Sequence, residues 1–259
     1  MRIAPLASGS RGNSLLLAAG DQQLLVDNGL PLEQLGDALT TVGVAPSDVT
    51  AVLMTHRHRD HARGVADFCR TFDTPVYGTR RTLRSLCNRL QRRLHTIPTD
   101  RSFRLGTLDV RAVKVRHDAP DTVAYRFDDG HHRFGLATDL GCADGAIAEV
   151  FVQLDALLLE FNYEPELLER GPYPAQLRAR VASDTGHLSN QQAAALLQGL
   201  AHPGLRRVWV GHVSERNNRP ELALAAARSV LPAGARTEVV LATQDLPSEP
   251  LLLGVRPTE

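Results

Sequence analysis

Cysteine is scarce in this chain of 259 residues, where Cys69, Cys87 and Cys142 are odd in number and none stands at CxxC spacing. That argues against a disulfide framework, and the three are read as buried packing thiols of a reducing compartment. Charge of one sign is lacking too. Lys+Arg and Asp+Glu number 29 each, so the formal net charge is zero and any basic patch has to be local. Aromatic residues make up 5%, too few for an extended base-stacking platform. No apolar run approaches the roughly 18 residues of a membrane span, and the opening MRIAPLASGSRGNS lacks the apolar core of a signal peptide. A cytoplasmic protein with no membrane partner is expected. No repeat, low-complexity stretch or long Gly/Ser linker divides the chain, and its length suits a single domain over 1–259 that folds without staples.

What is present is a succession of short apolar runs. Arg2–Leu6, Leu15–Ala18, Leu24–Val26 and Val52–Met54 are each of strand length and are bounded by Gly, Asn, Asp or Ser. Helical spacing appears at Val65, Phe68 and Phe72, then at Leu83, Leu86, Cys87, Leu90 and Leu94. Phe103–His117 and Val123–Asp139 read as strand-rich, with Asp128-Asp129-Gly130 as a hairpin turn because glycine tolerates positive φ. Ala156–Glu160, Arg207–Val210 and Thr237–Ala242 read as strands, and Asn190–Leu200 and Glu221–Ser229 as helices. Interleaved strands and helices point to an α/β chain.

The strongest local pattern is Thr55-His56-Arg57-His58-Arg59-Asp60-His61, which directly follows the apolar run Ala51–Met54. Extended backbone turns His56 and His58 to one side, while Asp60 and His61 fall at a helix start. Three imidazoles and a carboxylate within six residues suit two adjacent metal ions.

This segment resembles the signature of the metallo-β-lactamase superfamily. The resemblance implies an αββα four-layer sandwich, two mixed sheets flanked by helices. It also implies one metal on His56, His58 and His117, another on Asp60, His61 and His212, and Asp139 between them, with Asp27 orienting the loop. Further strings resemble the YycJ/WalJ-type exonuclease family: Ala7–Ser14, Leu159-Glu160-Phe161-Asn162, Gly171-Pro172-Tyr173-Pro174, Gly186–Asn190 and His212–Asn218. Family members act on DNA from the 5′ end. The chain departs from the family pattern at Asn28, usually Ala, at Tyr163, usually His, and at Phe161, where a small polar residue is common. None of these is an expected ligand.

The implied cofactors are two divalent ions, Zn²⁺ or Mn²⁺, with iron also compatible. Such a pair acidifies a shared water and neutralises phosphoryl oxygens, so that hydroxide attacks phosphorus in line with Asp60 orienting it. His187 is the candidate general acid, with Glu160 holding its other nitrogen. Ser8, Ser10, Asn13 and Ser14 of the glycine loop, with Ser189 and Asn190, are candidate substrate contacts. From Thr74 to Thr99 there is no acid but six arginines, at 80, 81, 84, 89, 92 and 93. A basic helix there is expected to track phosphates. The expected partner is a nucleic acid, DNA ahead of RNA, recognised by its backbone or end. A nuclease of the tRNA 3′-processing type usually carries a Gly/Pro-rich arm that this chain lacks. A lactam, lactone or thioester hydrolase has no need of the arginine stretch.

Overall fold

Apolar side chains in consecutive positions of one strand point to opposite faces, so an unbroken apolar strand needs a partner layer on each side. In β1 (Arg2–Ala7), β2 (Ser14–Ala19), β3 (Gln22–Val26) and β4 (Ala51–Leu53) nearly every residue is buried. The computed structural model, which describes residues 1–143 and 145–254, shows how both faces are covered. Residue 144 and residues 255–259 of the expected single domain lie outside the described residues.

The first four strands join β5 (Val76–Gly78), β6 (Leu94–Thr96) and, as the outermost strand, β14 (Leu251–Leu252) in a seven-stranded sheet of order β14-β1-β2-β3-β4-β5-β6. A second seven-stranded sheet runs β13-β12-β11-β10-β9-β8-β7, with β7 at Phe103–Leu105, β8 at Leu108–Lys114, β9 at Val123–Asp128, β10 at Arg133–Ala137, β11 at Ala156–Glu160, β12 at Arg207–Gly211 and β13 at Glu238–Leu241. Each sheet is antiparallel in one part and parallel in the other. Leu15 and Leu17 of β2 meet Phe134, Leu158 and Trp209 of the second sheet, while Leu16 between them faces the outer helices. The parallel crossovers supply those helices: α1 (Leu32–Thr41), α2 (Arg59–Ala62) and α3 (Val65–Thr71) on one side, and α6 (Gly145–Val150), α9 (Asn190–Leu200) and α10 (Pro220–Ser229) on the other. Leu157 and Leu159 pack beneath Ile147, Leu197 and Ala223. The four-layer αββα sandwich expected from the resemblance is therefore the fold adopted. No helix among the described residues is long and apolar enough to cross a membrane.

The Asp128–Gly130 turn is where the sequence places it, with Gly130 at φ 89° and the Asp129 carboxylate accepting from the amides of His131 and His132. The arginine stretch differs from expectation. It is not one helix but α4 (Arg80–Leu83) and α5 (Cys87–Leu90) with single 3-10 turns after each, and Leu94 opens β6. Leu83, Leu86 and Leu90 are buried as the stripe requires, while Cys87 is exposed. Six arginines without an acidic neighbour in the stretch provide no i,i+4 ion pairs to stabilise a longer helix, and Gln91 interrupts the backbone at φ 37°. Between β11 and β12 lie two helices not expected from periodicity, α7 (Pro165–Arg170) and α8 (Ala175–Val181).

Candidate metal centre

The polar residues that follow β3, β4, β8, β10 and β12 gather at one end of the sandwich. Asp27 follows β3, Asp139 lies just beyond β10 and His212 follows β12. All three adopt left-handed backbone, at φ 60°, 62° and 49°. Asp visits that region with little penalty, but His212 does so at a cost on the order of 1 kcal/mol. Leaving a strand this abruptly turns each side chain back over the sheet edge. Helix α2, which carries Asp60 and His61, is held by backbone bonds: Asn13 N–H donates to the Asp60 carbonyl at 2.7 Å, and Asn28 N–H to the His61 carbonyl at 2.9 Å.

These elements bring two triads together, His56 with His58 and His117, and Asp60 with His61 and His212, each with its ligand-type atoms within 4.8 Å of one another. Asp139 lies between them, Oδ2 being 3.1 Å from His61 Nε2 and Oδ1 3.7 Å from His117 Nε2 and 3.4 Å from His212 Nδ1. The outward nitrogens are occupied. His61 Nδ1 meets Asp27 Oδ2 at 2.8 Å, His56 Nδ1 meets Thr55 Oγ1 at 3.0 Å, and His117 Nδ1 meets the Gly186 carbonyl at 3.0 Å. Bonds of this kind fix the tautomer and leave the inward nitrogens to coordinate.

Divalent cations fit this donor set. His56 Nε2 is a buried atom with no hydrogen-bond partner, where buried polar atoms ordinarily find one, and Asp139 Oδ2 and His212 Nδ1 face only other ligand-type atoms of the same cluster. Burial, with the imidazoles of His61, His117 and His58, holds His56 well below the ordinary histidine range, so it presents a neutral lone pair. Burial also opposes a charge on His61 and His212, yet Asp139, with Asp27 beside the first and Asp60 and Glu160 beside the second, raises both, His212 to about 10. The carboxylates thus demand cationic charge at the point where the imidazoles converge, and N/O donors without thiolate suit Zn²⁺, Mn²⁺ or Fe²⁺.

His187 and Glu160 stand at the edge of this cluster. His187 Nδ1 lies 3.1 Å from Glu160 Oε2, and His187 lines a cavity of about 330 Å³ together with His58, Asp60, His117, Asp139 and His212. Glu160 itself is fully buried and also accepts the backbone N–H groups of Asp139, Leu140 and Leu188. Burial alone would raise its carboxyl, but His187 and His212 bring it down to about 2. Glu160 thus holds the His187 ring and three backbone amides and does not itself line the cavity.

Of the six expected substrate contacts only Ser10 lines the cavity. Ser8 Oγ accepts from His212 N–H, Asn13 Nδ2 donates to the Gly9 carbonyl, and Ser14 Oγ donates to the Asp27 carbonyl. Ser189 caps α9 in a reciprocal box with Gln192, and Asn190 bonds Glu164 and Asn218. These five are buried and spent on holding loops, a use that hydroxyl and amide side chains share with ligand binding and that spacing does not separate. The arginine stretch lies apart from the cavity. Arg81, Arg89 and Arg93 pair with Asp121, Asp67 and Asp73, and none of the six arginines lines the cavity.

The cavity is lined instead by residues given no role from sequence. Asp118 Oδ1 is 3.2 Å from His58 Nε2, and the same carboxylate pairs with Arg180 of α8. Tyr173, Leu177 and Val181 form an apolar wall, and Arg59 brings positive charge, while that of Arg180 is met by Asp118. Adjacency to His117 and a place inside the histidine motif were the available signals for Asp118 and Arg59. Arg180 had none. Of the departures from the family pattern, Tyr163 lies outside the cavity, and Asn28 is buried with its Oδ1 accepting from Leu30 N–H.

Residues 23–213 match the model of the β-lactamase superfamily domain. The chain is 30% identical to exodeoxyribonuclease YycJ of Bacillus anthracis over 239 residues, 89% of each chain. It is 33% identical to exodeoxyribonuclease WalJ of Streptococcus pneumoniae over 224 residues, 84% of this chain and 83% of that one. Among solved structures, the metallo-β-lactamase fold protein YhfI from Bacillus subtilis superposes with a TM-score of 0.72 at 18% identity, covering 96% of this chain and 100% of that one. At that identity the likeness is one of fold.

Proposed function

The chain belongs to the metallo-β-lactamase superfamily, within the family of the YycJ/WalJ-type exonucleases, and from that membership we propose a metal-dependent phosphodiesterase that removes nucleotides from the 5′ end of DNA. His56, His58 and His117 would hold one divalent ion and Asp60, His61 and His212 a second, with Asp139 shared. Bound there, the ions supply Lewis acidity to the phosphoryl oxygens and a lowered pKa to a water. The chain's own residues do the rest. Asp60 would accept a proton from the attacking water and orient it toward phosphorus. His187 would donate a proton to the 3′-oxygen as the P–O3′ bond breaks, because an alkoxide leaves poorly unless it is protonated as it departs. Glu160, ionised at any pH well above about 2, fixes the His187 ring through Nδ1. Tyr173, Leu177 and Val181 offer the terminal sugar and base an apolar wall.

The observation that carries this reading is the His187–Glu160 pair opening on the same cavity as both triads, beside Arg59 and Arg180. An acid for an alkoxide leaving group and cations for phosphate are both required by phosphodiester cleavage. The test is incubation of the purified protein, with Mn²⁺ or Zn²⁺, on 5′-phosphorylated single- and double-stranded DNA, with matched RNA, a lactam and a thioester in parallel. Chelator-sensitive release of 5′-mononucleotides from DNA is expected. Turnover of the lactam or thioester without nucleotide release overturns the reading, and release from RNA alone moves the substrate to RNA.

A further inference from the structure

Arg59 and Arg63 stand four residues apart along α2 and its cap, so their side chains leave the same face. Both are exposed, and among the described residues neither lies within ion-pair distance of a carboxylate. That sets them apart from Arg11 across the way, which is neutralised by Glu215 at 2.9 Å and Asp245 at 2.8 Å. Arg59 and Arg63 line a second cavity, of about 430 Å³, to which Ser10 and Gln34 also contribute polar groups. This cavity shares Ser10, Arg59 and Asp60 with the cavity of the metal centre, so the two meet at the start of α2.

We propose that the second cavity is the track for a phosphodiester backbone. The strand leaves the metal centre past Ser10 and Asp60, and its following phosphates rest on Arg59 and Arg63. This rests on the nuclease reading above and says where the polymer beyond the cleaved nucleotide runs. A guanidinium matches two phosphate oxygens at once. In a chain of zero formal charge, cations without acidic partners at the mouth of a catalytic cavity are the place where a polyanion gains most. The track is short. Asp245 lines the second cavity too, its carboxylate held by Arg11, and the cavity that continues beyond Arg11 adds the carboxylate of Asp37, which repels phosphate. Two free arginines therefore hold about two phosphates, and longer strands gain little further affinity.

The measurement is fluorescence anisotropy of a labelled, 5′-phosphorylated 12-nucleotide single strand, in metal-loaded protein carrying His187→Ala so that the strand survives. Arg59→Glu/Arg63→Glu is expected to weaken binding at least tenfold at low salt. It should also reduce the slope of log affinity against log salt by about 1.4, the release expected for two phosphates on a single strand. Arg59→Lys/Arg63→Lys keeps the slope. Arg84→Glu/Arg92→Glu, in the arginine stretch away from both cavities, leaves affinity unchanged. Because Arg59 adjoins Asp60, Arg63→Glu is also measured alone, with a slope loss of about 0.7 expected and metal content checked by elemental analysis. The track is overturned if Arg63→Glu binds as its parent does, or if the Arg84/Arg92 variant is the one that loses affinity. When the unsubstituted protein degrades DNA, either result removes the track and leaves the nuclease standing. When it neither degrades nor binds DNA, the nuclease reading fails and the track with it.

Discussion

At position 160 a carboxylate without solvent exposure receives three backbone N–H groups and bonds the His187 imidazole, with that of His212 3.6 Å away. Every lone pair of Glu160 is therefore engaged, and the Asp139 turn, the Leu188 turn and the His187 ring are all positioned by one side chain. His187 by contrast is partly exposed and touches Glu160 by a single bond, so removing it uncovers little. His187→Ala is expected to lower kcat on DNA by about 10²- to 10⁴-fold, the range for loss of a general acid, with metal stoichiometry unchanged. Loss of metal would instead make His187 a ligand. Glu160→Gln, though nearly isosteric, turns an NH₂ group toward backbone donors and leaves buried N–H groups unpaired. Its cost is on the order of 3 kcal/mol in stability, read by denaturant unfolding, together with loss of metal at Asp139. An E160Q protein of wild-type stability and metal content would show that the network is not needed to hold the centre.

Helix α2 has only four residues and no side-chain cap, so its position depends on what surrounds it. A Cβ added at Gly29 would lie 1.7 Å from the Asp60 carbonyl oxygen, the atom that Asn13 N–H holds. Gly29→Ala is expected to displace Asp60 and His61 and to remove one metal ion per chain, measured by elemental analysis. Gly199 in α9 meets nothing within 4 Å, so Gly199→Ala gains helix propensity, about 0.5–1 kcal/mol, with activity unchanged. An unchanged metal count in Gly29→Ala would release α2 from this constraint. The same element shows what a sequence can convey. The strand before His56 and the helix after Asp60 were legible because apolar runs stop where polar ligands start, and Asn190–Leu200 was legible from its periodicity together with Ser189. Three-residue strands such as β5 and β6 carry too few positions for a period. The arginine stretch showed a true apolar stripe at Leu83, Leu86 and Leu90, but a stripe does not reveal that Gln91 turns the backbone. Whether Ser8 or Ser14 faces a ligand or a neighbouring loop depends on contacts with residues far along the chain, and local pattern holds no record of them.

Across the whole molecule the candidate metal centre lies where two halves that the chain builds separately meet. The loop after β4 and helix α2 supply His56, His58, Asp60 and His61 from the first sheet, while the ends of β8, β10 and β12 supply His117, Asp139 and His212 from the second. The apolar interior between the sheets is continuous from Ile3 to Trp209, so the sandwich does not depend on metal to form. At the ligand end, however, Asp27, Asp60, Asp139 and Glu160 are carboxylates crowded in or beside one cluster. Cations that bind the folded chain and not the unfolded one stabilise it by mass action, about 4 kcal/mol at a thousandfold excess over Kd. For a chain of this size each kcal/mol moves Tm by about 2–4 °C, so stripping the metal is expected to lower Tm on the order of 10 °C, with readdition restoring it. Asp139→Asn, which removes the carboxylate nearest both triads, should melt at the stripped temperature and cease to respond to chelator. A stripped wild-type protein that melts where the loaded one does, with metal removal verified by elemental analysis, would show that the cations serve chemistry alone and that the two halves are held entirely by their apolar interface.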